Sequence, residues 1–212
     1  MKRTFLRQTL VLLTIATAVL TAPIAYAEDE APDVLIKRLL TDVLDTIRKD
    51  KAMQAGDTAK LVALVDSRII PHVNFHRLTA SAVGPAWGRA TPAQQKQLQD
   101  EFKTLLVRAY AGALSQLKDQ TINMKPFKAA TEDTEVLVRA EIKGDSETVQ
   151  LDYRMEKTPG QGSGWRIYNL KVVGVWLAES YRGQFAQEIS AKGIDGLITT
   201  LSERNKANSK KA

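Results

Sequence analysis

The sequence predicts an α+β domain: a curved four-stranded antiparallel sheet with helices covering one face, an arrangement able to enclose an apolar ligand cavity. Three observations carry that expectation. Apolar residues recur at helical spacing before residue 120 and after Gly174, but alternate one-in-two between Ile122 and Gly174. The connections inside the alternating stretch, Thr131-Glu132-Asp133, Gly144-Asp145-Ser146 and Pro159 to Gly164, are short enough for an antiparallel meander and too short for parallel crossovers. The alternation also leaves one face apolar and the other charged, as in a sheet covered on one side.

The elements follow in order along the 212 residues. Met1-Lys2-Arg3-Thr4-Phe5-Leu6-Arg7 is a cationic start, an uncharged apolar stretch runs from Thr9 to Ile24, and Ala25-Tyr26-Ala27 is a small-x-small cleavage site. Residues 1–27 therefore read as a secretory signal peptide; Thr14, Thr17, Thr21 and Pro23 dilute the run below what a spanning helix needs. Residues 28–204 read as a single domain, and residues 205–212 as a flexible basic tail carrying Lys206, Lys210 and Lys211. Asp33 is the expected N-cap of a first helix bearing Leu35, Leu39, Val43 and Ile47, a run that Gly56-Asp57 ends. Asp57 or Thr58 caps a second helix with Leu61, Val62, Leu64 and Val65, which Pro71 stops, and a short helix follows Asn74 as far as Gly84-Pro85. Thr91-Pro92-Ala93-Gln94 combines a capping box with proline at the first helical position, and opens a long helix to about Lys118. Its stripe of Leu98, Phe102, Leu105, Leu106, Ala109, Tyr110, Ala113 and Leu117 shrinks to alanine towards the C-terminal half. The four strands are Ile122 to Ala130, Thr134 to Lys143, Glu147 to Lys157 and Trp165 to Gly174. A helix with Leu177, Tyr181, Phe185 and Ile189 resumes, Gly193 breaks it, and a last helix starts near Asp195.

Composition narrows the function. Removing Lys2, Arg3 and Arg7 with the signal lowers the net charge from +6 to +3, too little to argue for nucleic acid. Cysteine is absent, so thiol nucleophiles, thiolate metal sites and disulfides are excluded. His72 and His76, four apart, straddle a helix boundary and have no acidic residue between them; they read as ordinary histidines, and no metal is expected. Gly160-Gln161-Gly162-Ser163-Gly164 leads into a strand instead of a helix, so it is a hairpin loop and no phosphate cradle. Ser163 is not in a nucleophile elbow, and no catalytic residue is expected.

What remains is apolar surface. A sheet face with Val138, Ala140, Leu151, Tyr153 and Met155, an alanine-thinned helix, and the corner from Val172 through Val173 and Val175 to Leu177 can enclose a dry cavity as well as a plain core. The expected wall is Phe102, Leu105, Leu106, Ala109, Tyr110, Ala113, Val138, Ala140, Leu151, Tyr153, Met155, Tyr168, Val172, Val175 and Leu177. Two rivals stand beside a binding protein. One is a small isomerase-like enzyme with the same cup, which needs a buried acid or base on the apolar face. The other is a pure protein-binding adaptor in the envelope, which needs a filled core.

Several ordered runs carry a resemblance. Ile70-Pro71-His72-Val73, Thr91-Pro92-Ala93-Gln94-Gln95, Val149-Gln150-Leu151-Asp152-Tyr153, Trp165-Arg166-Ile167-Tyr168-Asn169, Gly174-Val175, Tyr181-Arg182 and Lys192-Gly193-Ile194-Asp195-Gly196-Leu197 span nearly the whole chain after the signal. Together they resemble the MlaC, or toluene-tolerance, family. The resemblance implies a monomeric periplasmic carrier of diacyl phospholipid in Gram-negative bacteria, without a cofactor. It further implies partners in an inner-membrane ABC transporter with a ring of MCE domains and in an outer-membrane lipoprotein–porin complex, the carrier maintaining outer-membrane asymmetry.

Overall fold

The computed structural model describes residues 30–117, 119–145 and 147–209, with no side-chain detail at Ser209. The signal segment 1–27 expected from the sequence lies outside the described residues. Helices α1 (Pro32–Lys49), α2 (Lys51–Gln54), α3 (Thr58–Arg68), α4 (Phe75–Val83) and α5 (Pro92–Ser115) precede the strands β1 (Thr121–Met124), β2 (Glu135–Lys143), β3 (Thr148–Lys157), β4 (Trp165–Val172) and β5 (Val175–Trp176). Helix α6 (Leu177–Ser209) closes the chain.

Local chemistry sets most boundaries. The α1 cap is Ala31 with Pro32 at the first helical position, so Asp33 does not cap; it stands in the first turn, where a negative charge favours the helix dipole. The run does not continue to Gly56 either. Asp50 breaks it by accepting hydrogen bonds from the amides of Ala52 (2.8 Å) and Met53 (3.2 Å), which starts α2. Asp57 caps α3 and Asn74 caps α4, accepting from Lys60 N and Arg77 N. At α5 the capping box is complete: Gln94 N donates to Thr91 Oγ1 (3.2 Å) and Thr91 N to Gln94 Oε1 (3.0 Å).

The sheet is an antiparallel meander in the order β1-β2-β3-β4-β5, with five strands where four were expected. The additional strand is two residues long and follows a two-residue turn in which Val173 (φ 48°) and Gly174 (φ 83°) both have positive φ. Strand β1 stops at Met124, well before Ala130, because Pro126 has no amide proton for the ladder. A β-bulge at Arg154/Met155 shifts the β3–β4 register by one: Met155 pairs with Ile167, but Tyr153 pairs with Leu170. Trp165 and Ile167 therefore share the apolar face with Leu170 and Val172, and Tyr168 is turned away.

Three apolar clusters hold the fold. One lies among α4, α5 and α6 around Phe102, Phe185, Leu98 and Leu197. A second joins Leu35, Ile36 and Leu39 of α1 to Val138, Ala140, Met155 and Ile167 of the sheet. The third, with Val43, Ile47, Leu61, Leu64 and Ala111, ties α1 and α3 to α5. Helix α6 turns at Gly193 (φ 72°). Thr200 Oγ1 donates to Glu188 Oε1 at 2.7 Å, although twelve residues of straight helix would span about 18 Å. The two halves therefore fold back on each other. The segment expected to be a free tail begins inside α6: Asn205 is buried, and its Nδ2 donates to Glu101 O (2.9 Å) and Glu101 Oε2 (2.7 Å). Among the described residues no helix is long and apolar enough to cross a membrane.

Candidate functional site

The three clusters touch through partly buried residues: Leu170 and Val172 pack against both the first and the second, and Leu117 against both the second and the third. Between them lies a cavity of about 290 Å³, roofed by α1 and α5 and floored by the apolar sheet face. Helix α1 contributes Ile36, Leu39, Leu40, Val43 and Leu44. From α5 come Leu106, Val107, Tyr110, Ala113 and Leu114, with Leu117 just beyond its end. The stretch from α3 to α4 supplies Val65, Ile69, Ile70, Val73, Phe75 and Leu78. The sheet supplies Ile142, Val149, Leu151, Tyr153, Ile167, Asn169, Leu170 and Val172, and α6 adds Leu177.

The few polar groups in this wall decide what it can do. Lys103 reaches out of it to Asp66 on α3, Nζ to Oδ1 at 2.9 Å. Asn169 is already occupied: Nδ2 donates to Glu179 Oε2 (2.8 Å), while Oδ1 accepts from Leu170 N (3.0 Å) and Ala178 N (3.3 Å). Burial pushes the phenols of Tyr110 and Tyr153 above their ordinary range, so both stay neutral. No carboxylate lines the cavity, and no group of three or more potential metal ligands occurs among the described residues. A site of this kind binds apolar matter; it holds neither a charge relay nor a nucleophile with a base beside it.

Comparison with known proteins agrees with this geometry. The family model described as MlaC protein matches residues 37–203. The chain belongs to the MlaC family. It is 24% identical over 175 residues to the toluene tolerance protein ttg2D of Pseudomonas putida, covering 82% of this chain and 80% of that protein. It is 23% identical over 194 residues to the intermembrane phospholipid transport system binding protein MlaC of Haemophilus influenzae, covering 91% and 90%. A solved phospholipid-binding protein of Ralstonia solanacearum, in complex with a phospholipid, is 44% identical, with a TM-score of 0.78 over 84% of this chain and 98% of that one.

Within this member of the MlaC family, the structure brings seven of the expected wall residues to the cavity: Leu106, Tyr110, Ala113, Leu151, Tyr153, Val172 and Leu177. The others are placed elsewhere, for four reasons. Helix α5 presents two faces. At 100° per residue, Lys103, Leu106, Tyr110, Leu114 and Leu117 form one row, while Phe102 and Leu105 point to α4 and α6. Phe102 is ringed by Phe75 (6.1 Å), Tyr181 (5.1 Å) and Phe185 (5.2 Å), and Ala109 falls on the solvent side. On the sheet, Val138, Ala140 and Met155 lie on the apolar face but are sealed under Leu35, Ile36 and Leu39. The bulge sends Tyr168 to the polar face, where Arg77 stacks 3.6 Å from its ring centroid and its hydroxyl donates to Glu135 Oε2 at 2.9 Å. Val175 stands on the tight β4–β5 turn and is 55% exposed.

The largest omission from the sequence reading is α1. Its row Leu35, Leu39, Val43 and Ile47 was visible, and Ile36, Leu40 and Leu44 widen it beyond what one core contact needs. That width is the signal that α1 covers both a core and a void. His72 and His76 stay outside the site; burial and then the charge of Arg38 lower the pKa of His72, and the ring of His76 meets Trp87 edge-on at 5.0 Å.

Proposed function

We propose that the protein is a periplasmic carrier of diacyl phospholipid that does not catalyse a reaction. One observation carries this reading: an apolar cavity between helices and sheet, in a member of the MlaC family whose 44% identical structural relative is a phospholipid complex. Exposing a diacyl lipid of ~30 methylenes to water costs roughly 24 kcal/mol at ~0.8 kcal/mol per methylene. A soluble wall that replaces the bilayer interior removes most of that barrier to transfer. Tail recognition in such a wall is permissive, since apolar contacts discriminate chain length weakly.

The carrier takes up and delivers lipid at two complexes, an outer-membrane lipoprotein–porin assembly and an inner-membrane ABC transporter bearing MCE domains, and so maintains outer-membrane asymmetry. The signal-like residues 1–27 support export to the compartment between them. The isomerase alternative has no buried acid–base pair to draw on in this wall, and the adaptor alternative calls for a filled core. Organic extraction of the purified protein, followed by lipid analysis, tests the proposal. About one phospholipid per protein chain is expected; repeated extractions without stoichiometric phospholipid would overturn it.

A further inference from the structure

Tyr153 is an anomaly on the cavity floor. Its cross-strand partners are Val138 and Leu170, and its neighbours along the same face of β3 are Leu151 and Met155. Val138, Leu151 and Leu170 offer no acceptor in their side chains, and the thioether sulfur of Met155, a weak acceptor, takes no bond from it. The residue is 7% exposed, its hydroxyl has no hydrogen-bond partner among the described residues, and burial alone accounts for the upward shift of its pKa. Among the described residues, the buried side-chain atoms that are fully enclosed without a partner are Thr158 Oγ1 and Asn205 Oδ1, and the Tyr153 oxygen is not one of them. It must therefore border open space, and the open space beside Tyr153 is the cavity.

An unmatched phenol is costly here. Phenylalanine would fill the same floor without a stranded donor, and buried tyrosine hydroxyls usually find a partner. Tyr110 offers a weaker argument, because it is only half-buried and water can reach it. The partner of Tyr153 has to be an acceptor that enters with an otherwise apolar ligand. In a diacyl lipid the ester carbonyls are the strong acceptors attached directly to the tails; a free fatty acid offers a carboxyl of similar reach.

We infer that the Tyr153 hydroxyl donates a hydrogen bond to an ester carbonyl of the bound lipid, so that the cavity selects acyl-ester lipids over otherwise identical ether lipids. This rests on the carrier reading above, and the test separates the two. Purified, delipidated protein is offered a diester phosphatidylethanolamine and its dialkyl ether analogue with matched tails, in competition, and the bound ratio is read by native mass spectrometry. The wild type should prefer the ester by roughly three- to tenfold, the worth of one net hydrogen bond. Tyr153→Phe should bring the ester-to-ether ratio to about one. If the wild type binds ester and ether equally, the hydroxyl is satisfied by water and the inference fails, whatever the variant does. A preference that persists in Tyr153→Phe also overturns it. Palmitate that displaces the diester one-for-one would assign the acceptor to a free carboxyl and overturn the ester assignment. Binding of neither phospholipid would instead sink the carrier reading itself.

Discussion

Replacing Phe102 by Ala separates the sealed helical core from the cavity wall. Phe102 is 0% exposed and meets three other rings at 5.1–6.1 Å, yet it does not line the cavity. Truncating a buried Phe to Ala costs about 3–5 kcal/mol, and losing edge-to-face partners pushes the value to the upper half of that range. For a domain of this size, about 4 kcal/mol lowers the melting temperature by roughly 8–16 °C. Leu114→Ala gives the contrast. It is only partly buried and faces a void that already exists, so its loss is about 1 kcal/mol of transfer energy, with little new cavity. The assay is scanning calorimetry of delipidated protein, with phospholipid per folded molecule measured at low temperature. Phe102→Ala should melt far lower but carry lipid at wild-type stoichiometry. Phe102→Leu, costing less, serves if the alanine variant does not fold. A variant that melts within 2 °C or so of wild type but has lost its lipid would refute the assignment of the two faces of α5.

Other predictions follow from the same geometry. Leu151→Glu places a carboxylate on the cavity floor; it should abolish lipid occupancy in extraction assays, whereas Val175→Glu on the exposed turn should change the melt by no more than about 0.5 kcal/mol. Wild-type occupancy in Leu151→Glu, or a lost melting transition in Val175→Glu, would contradict these placements. Ending the chain at Arg204 removes Asn205 and both of its hydrogen bonds to Glu101; a loss of about 2 kcal/mol, or roughly 4–8 °C, is expected, and an unchanged melt would show that the end of α6 contributes nothing. Hydrogen bonds from Arg77, Arg38 and Lys125 hold the carboxyls of Glu135, Glu30 and Glu141 below their ordinary range. A depressed folded pKa stabilises above the unfolded value of about 4.3, and that contribution is lost as pH falls through the folded value. The melting temperature should thus be level down to about pH 5 and fall below about pH 4, with a smaller fall in high salt because the Arg77–Glu135 and Arg38–Glu30 pairs are partly exposed, Glu141 alone being buried. A melting temperature that rises between pH 5 and pH 3 would reverse the sign of this argument.

Much of the fold was readable because its causes are local. Thr91 with Gln94, Asp57 and Asn74 announce helix starts from within three residues, and the alternation from Val136 to Met155 sorts the two sheet faces without outside help. The bulge at Arg154/Met155 is different. It depends on how β4 meets β3, so strict alternation put Tyr168 on the wrong side. The short β5 arises only because Val173 and Gly174 make a tight turn in which a β-branched residue takes a positive φ, a conformation that its sequence does not favour. The cavity was the least legible feature. A void is where distant elements stop short of one another, and Leu151 and Ala140, side by side on one face, look alike in the sequence although one borders the void and the other lies beneath α1.

The separation of the sealed clusters from the space between them has a consequence for how such a protein can diverge. Residues such as Phe102, Met155 and Ile47 have no room to change size without strain or a hole, whereas Leu40, Ala113 and Val149 face space on one side. Drift at the second set can lengthen, narrow or bend the compartment while the framework remains intact. Descendants could come to carry differently shaped cargo through changes at a few wall positions, without first acquiring compensating mutations elsewhere.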